Sequence, residues 1–249
     1  MGMRLDKLLH DAGWGSRSDV RQAVRDGRVS VSGIPVTDPA CQLDPDSQSV
    51  TIDGQNADYR RHDYLMLHKP EGLLSATEDP RQPTVLSLRP PRYRRRGLFP
   101  VGRLDKDTTG LLLLTNDGAL AHEMTSPGKR TPRVYQVTAD RPIPSICVSA
   151  FARGLVLPGG EICGEAAIQP DETDPHDASV TLFEGKYHQV KRMFSAFGLT
   201  VTKLKRLSHG VLALDPDLPP GAWRPLTAAE QALLAAEFPN ASVNISQRV

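Results

Sequence analysis

Residues 102 to 118 read G-R-L-D-K-D-T-T-G-L-L-L-L-T-N-D-G, and the fold is decided here. Four consecutive leucines, Leu111 to Leu114, are bounded on both sides by turn-forming residues, which predicts a short strand buried on both faces. Asp105 and Asp107 lie directly before it. A charged, turn-prone loop fastened to a buried strand is a way to hold a carboxylate rigidly at a cleft. An aspartate-rich loop by itself is also what a solvated turn looks like, so the sequence on either side has to decide between the two.

Upstream, Tyr64-Leu-Met-Leu-His68 is strand-like and stops at Lys69-Pro70-Glu71-Gly72, where proline lacks a ladder donor and glycine permits a turn. Downstream, strands are predicted at 111 to 115, 133 to 139, 178 to 183 and 200 to 207. Helices are predicted near 118 to 125, 144 to 153, 187 to 197, and 227 to 237 behind the capping Thr227. The spacing is irregular, with no βαβ repeat. It therefore predicts an α+β domain over residues 63 to 237, built on a mixed, mainly antiparallel sheet. Residues 238 to 249 read as a flexible tail from Phe238 on, and the polar stretch from 51 to 62 reads as a linker.

The N-terminal segment has its own pattern. Leu5, Leu8, Leu9 and Ala12 recur at helical spacing and Gly13 ends that helix; Ser16 caps a second one, with Asp19 as the capping-box acid and Gly27 as the stop. On this second helix Arg17, Arg21, Arg25 and Arg28 fall within an arc of roughly 80°, with Val20 and Ala23 turned away. Val29-Ser-Val31, Ser32-Gly33 and Ile34-Pro-Val36 then read as strand, tight turn, strand. Two short helices and a hairpin make a small module over residues 3 to 58.

Composition is that of an ordinary soluble globular chain: 39% hydrophobic, 24% charged and a formal net charge of +1, so whole-chain charge does not announce nucleic acid. Cys41, Cys147 and Cys163 are far apart and form no C-x-x-C pair, which argues against a disulfide framework or a thiolate zinc site and for a reducing cytoplasm. The seven histidines show no metal-ligand spacing, and no phosphate-loop or nucleophile-elbow string is present. No cofactor and no metal are expected. No apolar run approaches the roughly 18 residues of a membrane span, so no membrane partner is expected.

The N-terminal module resembles the small RNA-binding domain first named in ribosomal protein S-four, through Arg4-Leu5-Asp6-Lys7, Ser16-Arg17-Ser18, Gly27-Arg28-Val29 and Val31-Ser32-Gly33. The string from Gly102 to Gly118 resembles the central motif of pseudouridine synthases, in the branch that modifies ribosomal RNA one site at a time. That resemblance implies isomerisation of a uridine without a cofactor, with Asp105 as the nucleophile and the target base flipped out of the RNA stack. It also implies two partners: Tyr135, in Arg133-Val-Tyr-Gln-Val137, stacking on the flipped base and acting in proton transfer, and Lys191, after His188-Gln-Val190, pairing with Asp105. Arg192 is the fallback for that pairing. Thr125-Ser-Pro127 and the run from Glu184 to Phe194 look most like the small-subunit 16S branch. Arg133 stands where many relatives have lysine, and the arginine-rich loop near 94 is particular to this chain.

Local charge supports RNA as the partner. Between residues 59 and 103 ten basic residues face four acidic ones. Arg94, Arg95 and Arg96 form a basic run flanked by prolines and Gly97, and with Arg103 and Arg192 they are candidates for phosphate contacts beside Arg17, Arg21, Arg25 and Arg28. The expected partner is ribosomal RNA or a small-subunit assembly intermediate, met by a monomer. The alternatives are a large-subunit ribosomal RNA synthase of the same fold and a non-catalytic assembly factor, which would not need Asp105, Tyr135 and Lys191 together. A glycoside hydrolase using Asp105 with Asp107 fits poorly, because two carboxylates in one loop rarely flank a sugar from opposite sides.

Overall fold

The computed structural model describes residues 2–57, 59–90, 93, 95–157, 159–241 and 243. The chain forms two compact units, Met1–Asp63 with Pro90–Gly97, and Tyr64–Arg89 with Leu98–Val249.

In the smaller unit, helix α1 (Leu5–Asp11) and helix α2 (Arg17–Arg25) pack beside a four-stranded antiparallel sheet. Its strands are β1 (Val29–Val31), β2 (Ile34–Pro35), β3 (Val50–Ile52) and β4 (Gln55–Asn56), in the order β2-β1-β3-β4. The α2 start is the capping box written in the sequence: the Asp19 amide donates to Ser16 Oγ and the Ser16 amide donates back to Asp19 Oδ2. Leu5, Leu8, Leu9, Val20, Val24, Val29, Val31, Val50 and Ile52 close one core. Burying each such side chain contributes about 1.5–3 kcal/mol. The expected linker at 51 to 62 is corrected here. Val50 and Ile52 point into that core on either side of Thr51, and Asp53-Gly54, both at positive φ, make a tight hairpin turn.

The arginine-rich loop, read from sequence with the larger domain, belongs to the smaller unit. Arg96 explains why. Its Nε donates to Asp63 at 2.5 Å, a second nitrogen reaches the Arg60 carbonyl, and its guanidinium lies 4.8 Å from the centre of the Tyr59 ring.

The larger unit is organised on a nine-stranded sheet among the described residues. Its main strands are β5 (Tyr64–Lys69), β6 (Thr109–Thr115), β7 (Arg133–Ala139), β8 (Ala166–Pro170), β9 (Asp177–Leu182), β10 (Val201–His209) and β11 (Trp223–Pro225), in the order β8-β9-β7-β10-β6-β5-β11. Phe99–Pro100 adds to β6 and Leu212–Ala213 to β10. Every pairing is antiparallel except β10 with β6, so the sheet is mixed and mainly antiparallel. Strands β8 and β11 were not foreseen; both are edge strands carrying a proline, which weakens their signal. Helices α3 (Gly118–Thr125), α4 (Ile146–Arg153), α5 (Gln189–Ser195) and α6 (Ala228–Glu237) connect or follow the strands.

Leu111 to Leu114 are at most 1% exposed, as a strand covered on both faces requires. Leu111 and Leu113 join Tyr64, Met66, Leu120, Met124 and Leu234 in one cluster. Phe238 and Ala241 are buried in that same cluster, so the tail expected from Phe238 is corrected: the chain is still packed at Ala241. No helix of the described residues is long and apolar enough to cross a membrane.

Candidate active site

The loop from Leu104 to Thr108 is held by two side chains that arrive from β5 and the turn after it. Ser75 Oγ donates to the Leu104 carbonyl at 2.8 Å and accepts from the Leu104 amide at 3.0 Å. Lys69, fully buried, donates to the carbonyls of Pro70, Lys106 and Thr108 at 3.0, 3.2 and 2.9 Å. Burial pushes the Lys69 ammonium down to about 8, against the pull of Asp107, Asp105 and Glu71. The loop that carries Asp105 is therefore fixed at both ends by groups buried beneath it.

Asp105 lines a cavity of about 140 Å³. That is roughly ten times what a single water needs, which makes it a ligand-sized space. Tyr135 lines it from β7, Arg133 and Arg206 from β7 and β10, and Glu184, Lys186, His188 and Gln189 from the segment leading into α5. This segment is tied to itself: Gln189 Nε2 donates to Glu184 Oε1 at 2.7 Å and Gln189 Oε1 accepts from the Lys186 amide at 3.0 Å. His188, at positive φ, turns the chain into α5.

Lys191 Nζ stands 3.4 Å from Asp105 Oδ2 and 2.5 Å from Asp107 Oδ1. One ammonium bridges the two carboxylates of the loop. Its hydrogen bond holds the Asp107 carboxyl below the usual carboxylate range. His188 Nε2 lies 3.5 Å from Asp105 Oδ1, on the other oxygen.

Asp105, Tyr135 and Lys191 are thus brought together. Arg192 is not with them: its Nη1 pairs with Glu161 at 2.5 Å and reaches the Tyr187 carbonyl, which corrects its place as fallback partner of Asp105. Arg103 is exposed and lines the cavity. In the smaller unit Arg17, Arg21, Arg25 and Arg28 are exposed on or beside α2; Arg21 pairs with Asp6 and Arg28 with Asp53. Arg95 is exposed and donates to the Gly15 carbonyl. Arg96, with a side chain only 7% exposed, is bound to Asp63 and is corrected from phosphate contact to structural anchor. Arg94 lies outside the described residues.

Sequence reasoning gave no site role to Ser75 or His188; Lys69 enters it only among the basic residues between 59 and 103, and Arg206 only in a second acid-free basic concentration with Lys186, Lys191, Arg192, Lys203 and Lys205 that could face the same groove. The signals were present but incomplete. Lys69 ends an otherwise apolar strand, but only the β5–β6 register, which sets it opposite Gly110, shows that it lies beside the aspartate loop.

Comparison with known proteins fits this geometry to a family. The model of RNA pseudouridylate synthases matches residues 63–196, and that of the S4 domain matches residues 3–49. The chain is an RNA pseudouridine synthase. An uncharacterized RNA pseudouridine synthase of Bacillus subtilis, YtzG, is 47% identical to this synthase over 93% of this chain and 98% of its own. Ribosomal small subunit pseudouridine synthase A of Pseudomonas aeruginosa is 43% identical, covering 92% of this chain and 98% of its own, and its counterpart in Escherichia coli K12 is 40% identical, over 92% and 99%. Among solved structures, a pseudouridylate synthase crystal structure superposes on this synthase with a TM-score of 0.65 at 34% identity, covering 93% of this chain and 99% of that one.

Proposed function

We propose that the protein isomerises one uridine to pseudouridine in the 16S RNA of the small ribosomal subunit, with Asp105 as nucleophile. The observation that supports this most is the position of Asp105: a carboxylate fixed at both ends of its loop, ion-paired to Lys191 at 3.4 Å, at the wall of a cavity shared with Tyr135. The small-subunit assignment is supported by the similarity to ribosomal small subunit pseudouridine synthase A over nearly the whole chain.

The reaction breaks the N1–C1′ bond of uridine, turns the base in place and joins C5 to C1′. No electrons or phosphoryl groups are exchanged overall, so positioning and acid–base chemistry suffice. The target base must leave the RNA stack, at a cost of a few kcal/mol, and enter the cavity, where Tyr135 offers a ring face and a hydroxyl. Asp105 attacks the sugar or the ring, or assists loss of a sugar proton. Lys191 stands beside the carboxylate as its counter-charge, 3.4 Å away. The N-terminal unit supplies exposed arginines for phosphate contacts.

Asp105→Asn is expected to fold and bind 16S transcripts yet form no pseudouridine. Retained turnover would remove Asp105 from its role. Mapping pseudouridines in ribosomal RNA of cells lacking the protein tests the target: loss of a single 16S position is expected, and loss of a 23S position instead would move the substrate to the large subunit.

A further inference from the structure

We propose that Arg206 binds the base itself, its buried guanidinium meeting a carbonyl oxygen of the uracil ring and stabilising the negative charge that the ring acquires during isomerisation. The inference rests on the isomerisation reading above.

Arg206 is 1% exposed and is among the largest fully buried side chains of the protein. Its Nε donates to the Leu111 carbonyl at 2.8 Å, while Nη2 is buried with no partner among the described residues. Among the described residues it forms no ion pair. A buried cation with no counter-charge is costly to keep, and an unmet buried donor adds to that cost, so both call for a ligand that completes them. The backbone leaves little freedom to avoid the arrangement: at Gly110, paired with Arg206 in the parallel ladder, a Cβ would stand 2.2 Å from the Arg206 carbonyl oxygen.

Three further observations point into the same space. Arg206 is the cross-strand partner of Tyr135, so the two side chains rise from one face of the sheet, and both line the cavity. Arg133, also buried and lining the cavity, bonds only to the carbonyls of Thr131 and Met124 and likewise forms no ion pair among the described residues. Thr108, on the same wall, has a buried hydroxyl without a partner among the described residues. The field of the two guanidiniums is felt at His209, whose imidazole is held well below its ordinary range by burial first, then by Arg206 and Arg133. The cavity is therefore built for an electron-rich guest lying against Tyr135.

The chemistry supplies such a guest by every route. If Asp105 attacks C1′, the C1′–O bond forms, C1′–N1 breaks, and the pair leaves on uracil, shared with O2 and O4. If a sugar proton is lost, C1′=C2′ forms and N1 again departs with its pair. If Asp105 attacks C6, the C5=C6 pair moves to make an enolate at O4. Joining C5 to C1′ takes the pair back: in the first route it displaces the Asp105 carboxylate from C1′, in the second C2′ regains its proton, and in the third the carboxylate leaves C6 as C5=C6 is restored; in each the proton lost from C5 matches the one gained at N1. In all three cases a ring oxygen is more negative midway than at the start, and a fixed cation there favours the transition state over the ground state.

The test compares Arg206→Ala and Arg206→Lys with wild type by single-turnover rate, RNA affinity and thermal melting. Arg206→Ala is expected to lower the rate about 10²- to 10³-fold with RNA affinity within about twofold of wild type. Arg206→Lys, which keeps a cation in place should the alanine variant fail to fold, is expected to fall between. Free guanidinium ion, well below denaturing concentration, should restore part of the alanine variant's rate and leave wild type unchanged. RNA carrying 4-thiouridine or 2-thiouridine at the target locates the contact: one of them should slow wild type but not Arg206→Ala. Rates per folded molecule within about threefold of wild type in both variants would overturn the proposal. So would equal effects of both thio substitutions on wild type and variant, or no response to guanidinium. Wild-type protein that leaves 16S transcripts unmodified would overturn the substrate reading alone, since the Arg206 measurements are then made on whichever ribosomal RNA wild type does modify.

Discussion

The arginines of α2 and the arginines of the cavity wall carry the same charge in opposite circumstances. Arg17, Arg21, Arg25 and Arg28 are exposed; among the described residues Arg28 pairs with Asp53, which water reaches, and Arg21 with the buried Asp6. Arg133 and Arg206 are buried, bonded among the described residues to backbone carbonyls alone, and facing a cavity. An exposed ion pair contributes about 0–1 kcal/mol and is screened by salt, whereas a buried charge is expensive to keep and cannot be screened. The outer set can therefore exchange partners at little cost, while the inner set is held in place by its backbone carbonyls.

Variants can break or sharpen that contrast. The largest effect is expected at the inner charges beside Asp105. Lys191→Met should reduce the single-turnover rate about 10²- to 10³-fold while the melting temperature holds, because Val190, Met193 and Phe194 already supply the buried face of α5. The Asp107 carboxyl, released from its hydrogen bond, should rise toward the usual carboxylate range by NMR titration. A rate within a few-fold of wild type would make Lys191 a surface ion pair after all. Tyr135→Phe should come next, about 10²-fold slower with RNA affinity kept, since the ring remains and the hydroxyl is lost; weakened binding without a slower step would reverse that assignment.

A smaller, pH-dependent effect is expected from Lys69. Above about pH 8 its amine becomes neutral and has two hydrogens for three carbonyls, so the Asp105 loop loosens and the rate should fall a few-fold. Stability should move the other way. The unfolded lysine keeps its proton up to 10.5, so between about 8 and 10.5 the unfolded chain binds more protons and this residue's contribution to stability rises with pH. A rate profile that stays flat through this window would disconnect Lys69 from the loop. The smallest effects belong to the outer arginines: Arg17→Ala and Arg25→Ala should each weaken RNA binding only a few-fold and flatten the plot of log affinity against log salt by about 0.7–0.9. An unchanged slope would leave α2 a solvated face.

What the sequence disclosed follows the same division. Local signals were legible: the Ser16–Asp19 capping box, the Ser32-Gly33 turn, the buried Leu111 to Leu114 strand and the helix behind Thr227 all lie where their residue types predict. Asp105, Tyr135 and Lys191 could be brought to one place only by resemblance, since no spacing rule links residues thirty and eighty-six positions away to Asp105. Contacts made by one side chain across the fold stayed hidden. Lys69 beneath the loop, Arg206 beside Tyr135 and Arg96 folded back on Asp63 each depend on strand register or on a segment that returns to an earlier part of the chain. Arg94 to Arg96 look alike in sequence, yet Arg96 is an anchor because Asp63 and Tyr59 wait for it.

The return of Pro90–Gly97 to the smaller unit means that the chain crosses between units three times, after Asp63, after Arg89 and after Gly97. A protease that nicks the first crossing would not release the N-terminal module as a fragment held by nothing else, because the second segment is bound into it through Arg95 and Arg96. A truncation that begins at residue 59, drawn to match a neat domain border, would strip that segment of Gly15 and most of its surroundings while leaving it attached to the enzyme. The module is better regarded as woven into the synthase than as appended to it.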